Sequence, residues 1–229
     1  QLETAARKSP SWDAADSPEL QLRHDMMRAK LSGFIDSPGM AERRFPRSDK
    51  SLPAQYARAI VAYRTGGARK AVGLVDDLIA QAPGYPYFHE LKGQILLESG
   101  KAREAVAPLR QAVALAPKAG LIRILLGHAL LQTGDDSVLD DAVANLRAGL
   151  QAEKLASIGY RHLATALQRQ GKVADAELAT AEGLLIDGDI ETAQNFARRA
   201  QAKFGRGSPG WLKADDIINY EPPVGAGQN

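Results

Sequence analysis

Apolar residues recur along most of this chain at the i, i+4, i+7 spacing of a single helix face, with no convincing stretch of strand-like alternation. Ala71, Val75 and Leu78 form one such face; Ala105, Leu109 and Ala112 form another. The pattern predicts an all-α chain of about eleven helices. Ser17 and Ser208 each precede a proline, whose fixed φ and missing N–H suit a first helical position. Helices therefore start at Pro18 and Pro209. In the first, Leu20, Met27, Leu31 and Phe34 share the apolar face, and Ser37-Pro38 end it. In the last, Trp211, Leu212, Ile217 and Ile218 suit a closing cap. Met26 and Met27 read as packing side chains.

Between these ends the pattern repeats. Gly93 and Gly127 lie 34 residues apart, as do Leu96 and Leu130, Gly100 and Gly134, Pro83 and Pro117, and Ala71 and Ala105. Leu130 to Leu167 and Gly134 to Gly171 are 37 apart, and the spacing returns to 34 between Ala142 and Ala176 and between Gly149 and Gly183. One three-residue insertion within Asp135 to Asp141 accounts for the change. This period and these residue types resemble the tetratricopeptide repeat, a helix–turn–helix unit that buries its faces by stacking on its neighbours into a superhelix, an α-solenoid. Gly93, Gly127 and Ala164 take the small positions where paired helices cross, and Leu96, Leu130 and Leu167 the large ones. Upstream, Tyr56, Ile60 and Tyr63 suggest a first helix displaced by about one residue from its partner at Ala71 to Leu78. Downstream, Leu184, Gly188, Ala193, Ala197 and Ala200 form a half unit whose first helix is the previous repeat's second. The expected organisation is a linker over 1–16, a preceding helix over 17–36, and a charged connector over 37–52 that includes Glu42 to Lys50. A repeat array with its cap helix follows over 53–219, and a disordered tail over 220–229.

Composition narrows the chemistry. The 229 residues contain no cysteine, which excludes disulfides, a thiol nucleophile and cysteine-ligated metal. The formal net charge is +2, too near balance to point to nucleic acid or an anionic membrane. No apolar run approaches the roughly 18 residues of a bilayer span. The most suggestive catalytic text is His89-Glu90-Leu91-Lys92-Gly93, but a zincin helix needs a second histidine where Gly93 stands. No phosphate-binding loop, nucleophile elbow or dinucleotide fingerprint is present. No catalytic residue, metal ligand or cofactor is assigned to this chain.

A repeat array offers instead a groove lined by the first helix of each repeat. Projecting the repeat gives Tyr87, Glu90, Gln94 and Glu98, then Ile124, His128 and Leu131, then Arg161, Thr165 and Arg169 as its lining. The stripe lacks the paired Lys and Asn side chains with which chaperone-binding relatives clamp a terminal carboxylate. A helical or extended protein segment is the expected ligand. Gly127→Leu should force the helices apart, whereas Arg169→Ala should leave the fold intact and affect only ligand capture.

Longer blocks resemble one family. Glu19 to Asp25, Met27 to Leu31, Ser51 to Ala59, Tyr87 to Gln94 and Gly207 to Leu212 are similar to the segment following the protease domain in periplasmic zinc metallopeptidases of family forty-eight. Those proteins join an HExxH catalytic domain to a C-terminal tetratricopeptide array. No HExxH can be placed here, so the resemblance implies the accessory half: a periplasmic module of a Gram-negative bacterium, with zinc expected only in the upstream domain. It would present substrates or partners, such as outer-membrane proteins and their assembly machinery, to that protease. The start at Gln1 without an apolar leader fits a mature or excised piece. A free-standing scaffold for envelope or secretion complexes is the alternative.

Overall fold

The computed structural model describes residues 17–222, so the expected linker over 1–16 and the tail from 223 onward lie outside the described residues. Within them there are twelve α-helices and one short 3-10 turn, with no strand. They are α1 (Pro18–Ile35), α2 (Pro38–Arg44), α3 (Leu52–Arg64), α4 (Ala68–Gln81), α5 (Pro86–Glu98), α6 (Ala102–Leu115), α7 (Gly120–Gln132), α8 (Leu139–Ala152), α9 (Ser157–Arg169), α10 (Val173–Ile186), α11 (Ile190–Gln201) and α12 (Pro209–Ile218). The helices group into two compact units, one up to Ala82 and one from Pro83.

In the first unit α1 packs on α3, and α3 on α4. The buried face of α1 is not the expected one. Met26, Ala29, Ser32 and Gly33 are inside, while Leu20, Met27 and Leu31 are more than half exposed and Phe34 is only partly covered. Close approach decides this. A Cβ at Gly33 would sit 2.8 Å from the Cβ of Ile60, and Arg64 donates to the carbonyls of Gly33 (2.8 Å) and Asp36 (2.9 Å). Small residues therefore take the interface, and only Met26 of the methionine pair is a packing side chain. The connector holds an additional helix, α2, begun by the Ser37-Pro38 pair in the same extended cap geometry as Ser17 and Ser51.

The first repeat is in register, contrary to the displacement expected. Helix α3 lies 34 residues before α5 at both ends, and α4 lies 34 before α6. Ala59, fully buried, is the counterpart of Gly93; an alanine at a glycine's place hid the match.

In the second unit each helix packs on the next, and α5, α7 and α9 approach one another along one side. The small positions are sterically required. A Cβ at Gly93 would meet Leu109 at 2.4 Å, and one at Gly127 would meet Leu146 at 2.5 Å, both leucines being fully buried. Gly100 and Gly134 close their pairs with φ of +75°, a conformation that strains side-chain-bearing residues. The three-residue insertion is the 3-10 turn Asp136–Val138. Helix α10 packs on both α9 and α11, serving as the second helix of one pair and the first of the next. At the end, Phe204 fills the space a side chain at Gly210 would need, and Ala214 and Ile217 of α12 close the core while Leu212 faces solvent.

Candidate partner-binding groove

The expected groove residues lie on α5, α7 and α9, all in the second unit. Helix α5 begins at Pro86, at the first turn where a missing N–H costs nothing. Its entry is fixed by His89, whose Nε2 lies 2.8 Å from the carbonyl oxygen of Pro83. A carbonyl only accepts, so that nitrogen carries its hydrogen and is not a metal ligand. Arg123 makes the same contact one repeat later, donating from Nε to Pro117 at 2.8 Å. His89 thus ties α5 to the loop before it, as Arg123 ties α7 at the same repeat position. Among the described residues, no group of three or more His, Asp or Glu side chains could hold a metal ion.

Of the predicted lining, Tyr87 is exposed and stacks edge-on against Tyr85, ring centroids 5.4 Å apart. Gln94 donates to Glu98 at 2.9 Å along the same helix, with Glu90 partly exposed beside them. Ile124 and Leu131, expected in the groove, are buried instead, at 5% and 7% exposure. They belong to the core with Leu146 and Leu163 because α7 is covered by α8 and α9, and Ile124 fills the space left by Gly149 and Gly159. Thr165 is exposed, its hydroxyl donating back to the Arg161 carbonyl at 3.0 Å; Arg161 itself is exposed and 3.7 Å from Asp187.

Arg169 corrects a second expectation. Its guanidinium donates to the Leu131 carbonyl at 3.0 Å and to Asp136 at 2.5 Å, joining the end of α9 to the end of α7 and to the 3-10 turn. It is a staple between repeats, so its loss acts on the fold.

Three further side chains belong to this surface without having been expected there. His162 on α9 stacks on His128 of α7, centroids 3.9 Å apart and planes 12° from parallel. Burial, the neighbouring His128 and the charge of Arg161 push His162 down to about 4, and burial also lowers His128. Both rings are therefore neutral at pH 7. Leu121 and Ile158, exposed at 58% and 47%, occupy the same first-turn position as Tyr87 on the next two first helices, 34 and 37 residues on. The repeat spacing alone could have found this ladder; projecting only the inner face of each helix missed it. It consists of one large exposed apolar side chain on the first helix of each of three successive repeats, where isolated exposed apolar residues would not recur in phase.

A cavity of about 440 Å³ in the same unit is lined by Tyr160, Arg147, Lys154, Asp175, Glu182 and Lys213. Arg147 pairs with Asp175 at 3.4 Å and Lys213 with Glu182 at 3.6 Å, while burial raises the Glu182 pKa. Four of its five charges are thus matched in pairs, and Lys154 is the fifth.

Residues 56–120 and 92–138 match the family described as tetratricopeptide repeat. No curated protein sequence matches the chain. Among solved structures it is similar to MamA from Desulfovibrio magneticus RS-1, at 18% identity and TM-score 0.60, covering 74% of this chain and 96% of that one. It is similar also to MamA of MSR-1, at 19% identity and TM-score 0.58, covering 76% of this chain and 99% of that one. MamA of AMB-1 gives 18% identity and TM-score 0.60 over 73% and 97% of the two chains. The fold is therefore an all-α tetratricopeptide solenoid built of stacked helix pairs.

Proposed function

We propose that this chain is a non-catalytic protein-interaction module that captures an extended or helical protein segment along α5, α7 and α9. The observation that carries it is the in-phase apolar ladder Tyr87, Leu121 and Ile158, beside polar side chains that change from acidic on α5 (Glu90, Glu98) to basic on α9 (Arg161). Alternate apolar anchors and graded charge are what a directional peptide segment recognises. The test is capture from an envelope extract by the chain and by a Leu121→Glu, Ile158→Glu variant. Both positions are exposed, so the variant should melt as the parent does and lose its bound protein. Retention of the same protein by a folded variant would refute the groove.

The finer reading is the accessory array of a periplasmic zinc metallopeptidase of family forty-eight, presenting outer-membrane proteins or their assembly partners to a catalytic domain. The blocks from Glu19 to Leu31 and Ser51 to Ala59 support it. An in-frame HExxH domain in the coding sequence upstream of Gln1 is the expected result. A signal peptide abutting Gln1 would favour the free-standing scaffold instead.

A further inference from the structure

The charged connector between α1 and α3 takes no part in the groove, yet the first unit folds it around a cavity of about 510 Å³. Among the described residues, four cations line this cavity, Arg47, Lys50, Arg58 and Lys70, against one carboxylate, Glu42. Two neighbouring carboxylates that do not line the cavity are engaged locally. Arg44 pairs with Asp36 at 3.0 Å, and Asp49 turns its carboxylate to the Ser51 N–H at 2.9 Å, where that bond and Arg58 lower its pKa. Arg58 donates to the carbonyls of Pro46 (2.9 Å) and Phe45 (3.4 Å), so its position is fixed by backbone oxygens, and Asp49 is the acid that feels its charge. Glu42 reaches Arg47 only at 3.5 Å, with both side chains mostly in water. A chain of formal charge +2 thus lines one concave site with four cations against one carboxylate, and a positive surplus remains when the neighbouring Asp49 is counted.

The floor of the cavity is aliphatic, formed by Ala57, Val61 and Leu74. This combination discriminates among anions. Among the described residues no aromatic ring lines it to stack a nucleobase. A flat anionic membrane would meet the rim of a concavity and not its floor. An acidic protein segment carrying aliphatic side chains satisfies both the charge and the floor. We infer that this cavity, separate from the groove, is a docking site for an acidic–aliphatic protein segment.

The test uses the full chain and two fluorescent peptides of the same aliphatic content, one with glutamates and the other with glutamines in their place. The glutamate peptide should bind with an affinity that falls as salt rises, and the glutamine peptide should not bind. Lys50 and Lys70 are solvent-accessible, so Lys50→Glu with Lys70→Glu should preserve the thermal melt and weaken the glutamate peptide by about tenfold or more. The Leu121→Glu, Ile158→Glu variant should bind it unchanged, which separates this site from the groove. Equal binding of both peptides, or no effect of the lysine reversals, would overturn the inference. So would displacement of the peptide by inorganic phosphate beyond that by chloride at matched ionic strength. Lysine-dependent sedimentation with phosphatidylglycerol vesicles, without peptide binding, would assign the cations to a membrane and overturn it also.

Discussion

Replacing Gly127 with alanine adds one methyl group at a crowded crossing in the second unit. The new Cβ would lie 2.5 Å from Cγ and 2.9 Å from Cδ2 of Leu146, and 3.1 Å from the Ala142 carbonyl oxygen. Leu146 is fully buried, and the atom struck first is its branch point, so no rotamer change at the tip relieves the clash. The helices must separate, and the cost falls in the overpacking range, about 1–3 kcal/mol. Leu146→Ala alone leaves a cavity and costs about 2–5 kcal/mol. Combined, the two changes compensate, because the methyl on α7 enters space the leucine vacated. The double variant should therefore lose at least about 1 kcal/mol less than the sum of the singles. Urea unfolding followed by circular dichroism reads all four proteins. The same cycle at Gly93 and Leu109, where the clash is 2.4 Å, should give coupling of the same sign. Additivity within about 0.5 kcal/mol at either pair would show that the glycines are not there to admit the facing leucine.

Gly73 supplies the opposite case. It sits inside α4 with nothing within 4 Å of the place a Cβ would take, so Gly73→Ala should raise stability by about 0.5–1 kcal/mol, measured by the same unfolding assay. Arg169→Ala should lower stability by about 1–2 kcal/mol by leaving the Leu131 carbonyl without its charged donor, and a thermal melt equal to the parent's would restore a pure ligand role. The His128–His162 stack predicts a pH dependence. Because folding lowers both histidine pKa values, the unfolded chain binds more protons below pH 6.5, so their contribution to stability is complete above that value and is lost as pH falls toward about 4. His162→Phe should flatten the fall in melting temperature between pH 7 and pH 5, and an unchanged slope would remove the stack from the acid response.

Much of the fold was legible because steric demands repeat. Glycines that admit a facing leucine recur at one spacing, and the three-residue break between Asp135 and Asp141 became the 3-10 turn. Where the chain met the same demand with another residue, the spacing was harder to see, as at Ala59. The face of α1 was misread for a related reason: periodicity ranks residues by apolarity, whereas the interface with α3 ranks them by size, so Gly33 and Ser32 went in and Leu31 stayed out. The groove was legible only in outline. Register locates a position on a helix, but whether Ile124 meets solvent or core depends on the helix packed across it. Arg169 and the His128–His162 stack depend on contacts between residues more than 30 positions apart, which no local spacing encodes.

The 3-10 turn at Asp136–Val138 has a geometric consequence for how this array can change in length. Three residues complete one turn of a 3-10 helix, so the insertion advances the chain by about 6 Å and returns it to the same azimuth. Helix α8 therefore starts with its inward stripe already aimed, and the 34-residue spacing resumes as if nothing had been added. One or two extra residues at this place would rotate every following helix out of phase. The loop is thus a splice point that tolerates whole turns, and Arg169, reaching back to Asp136 from 33 residues on, holds the spliced turn against the stack.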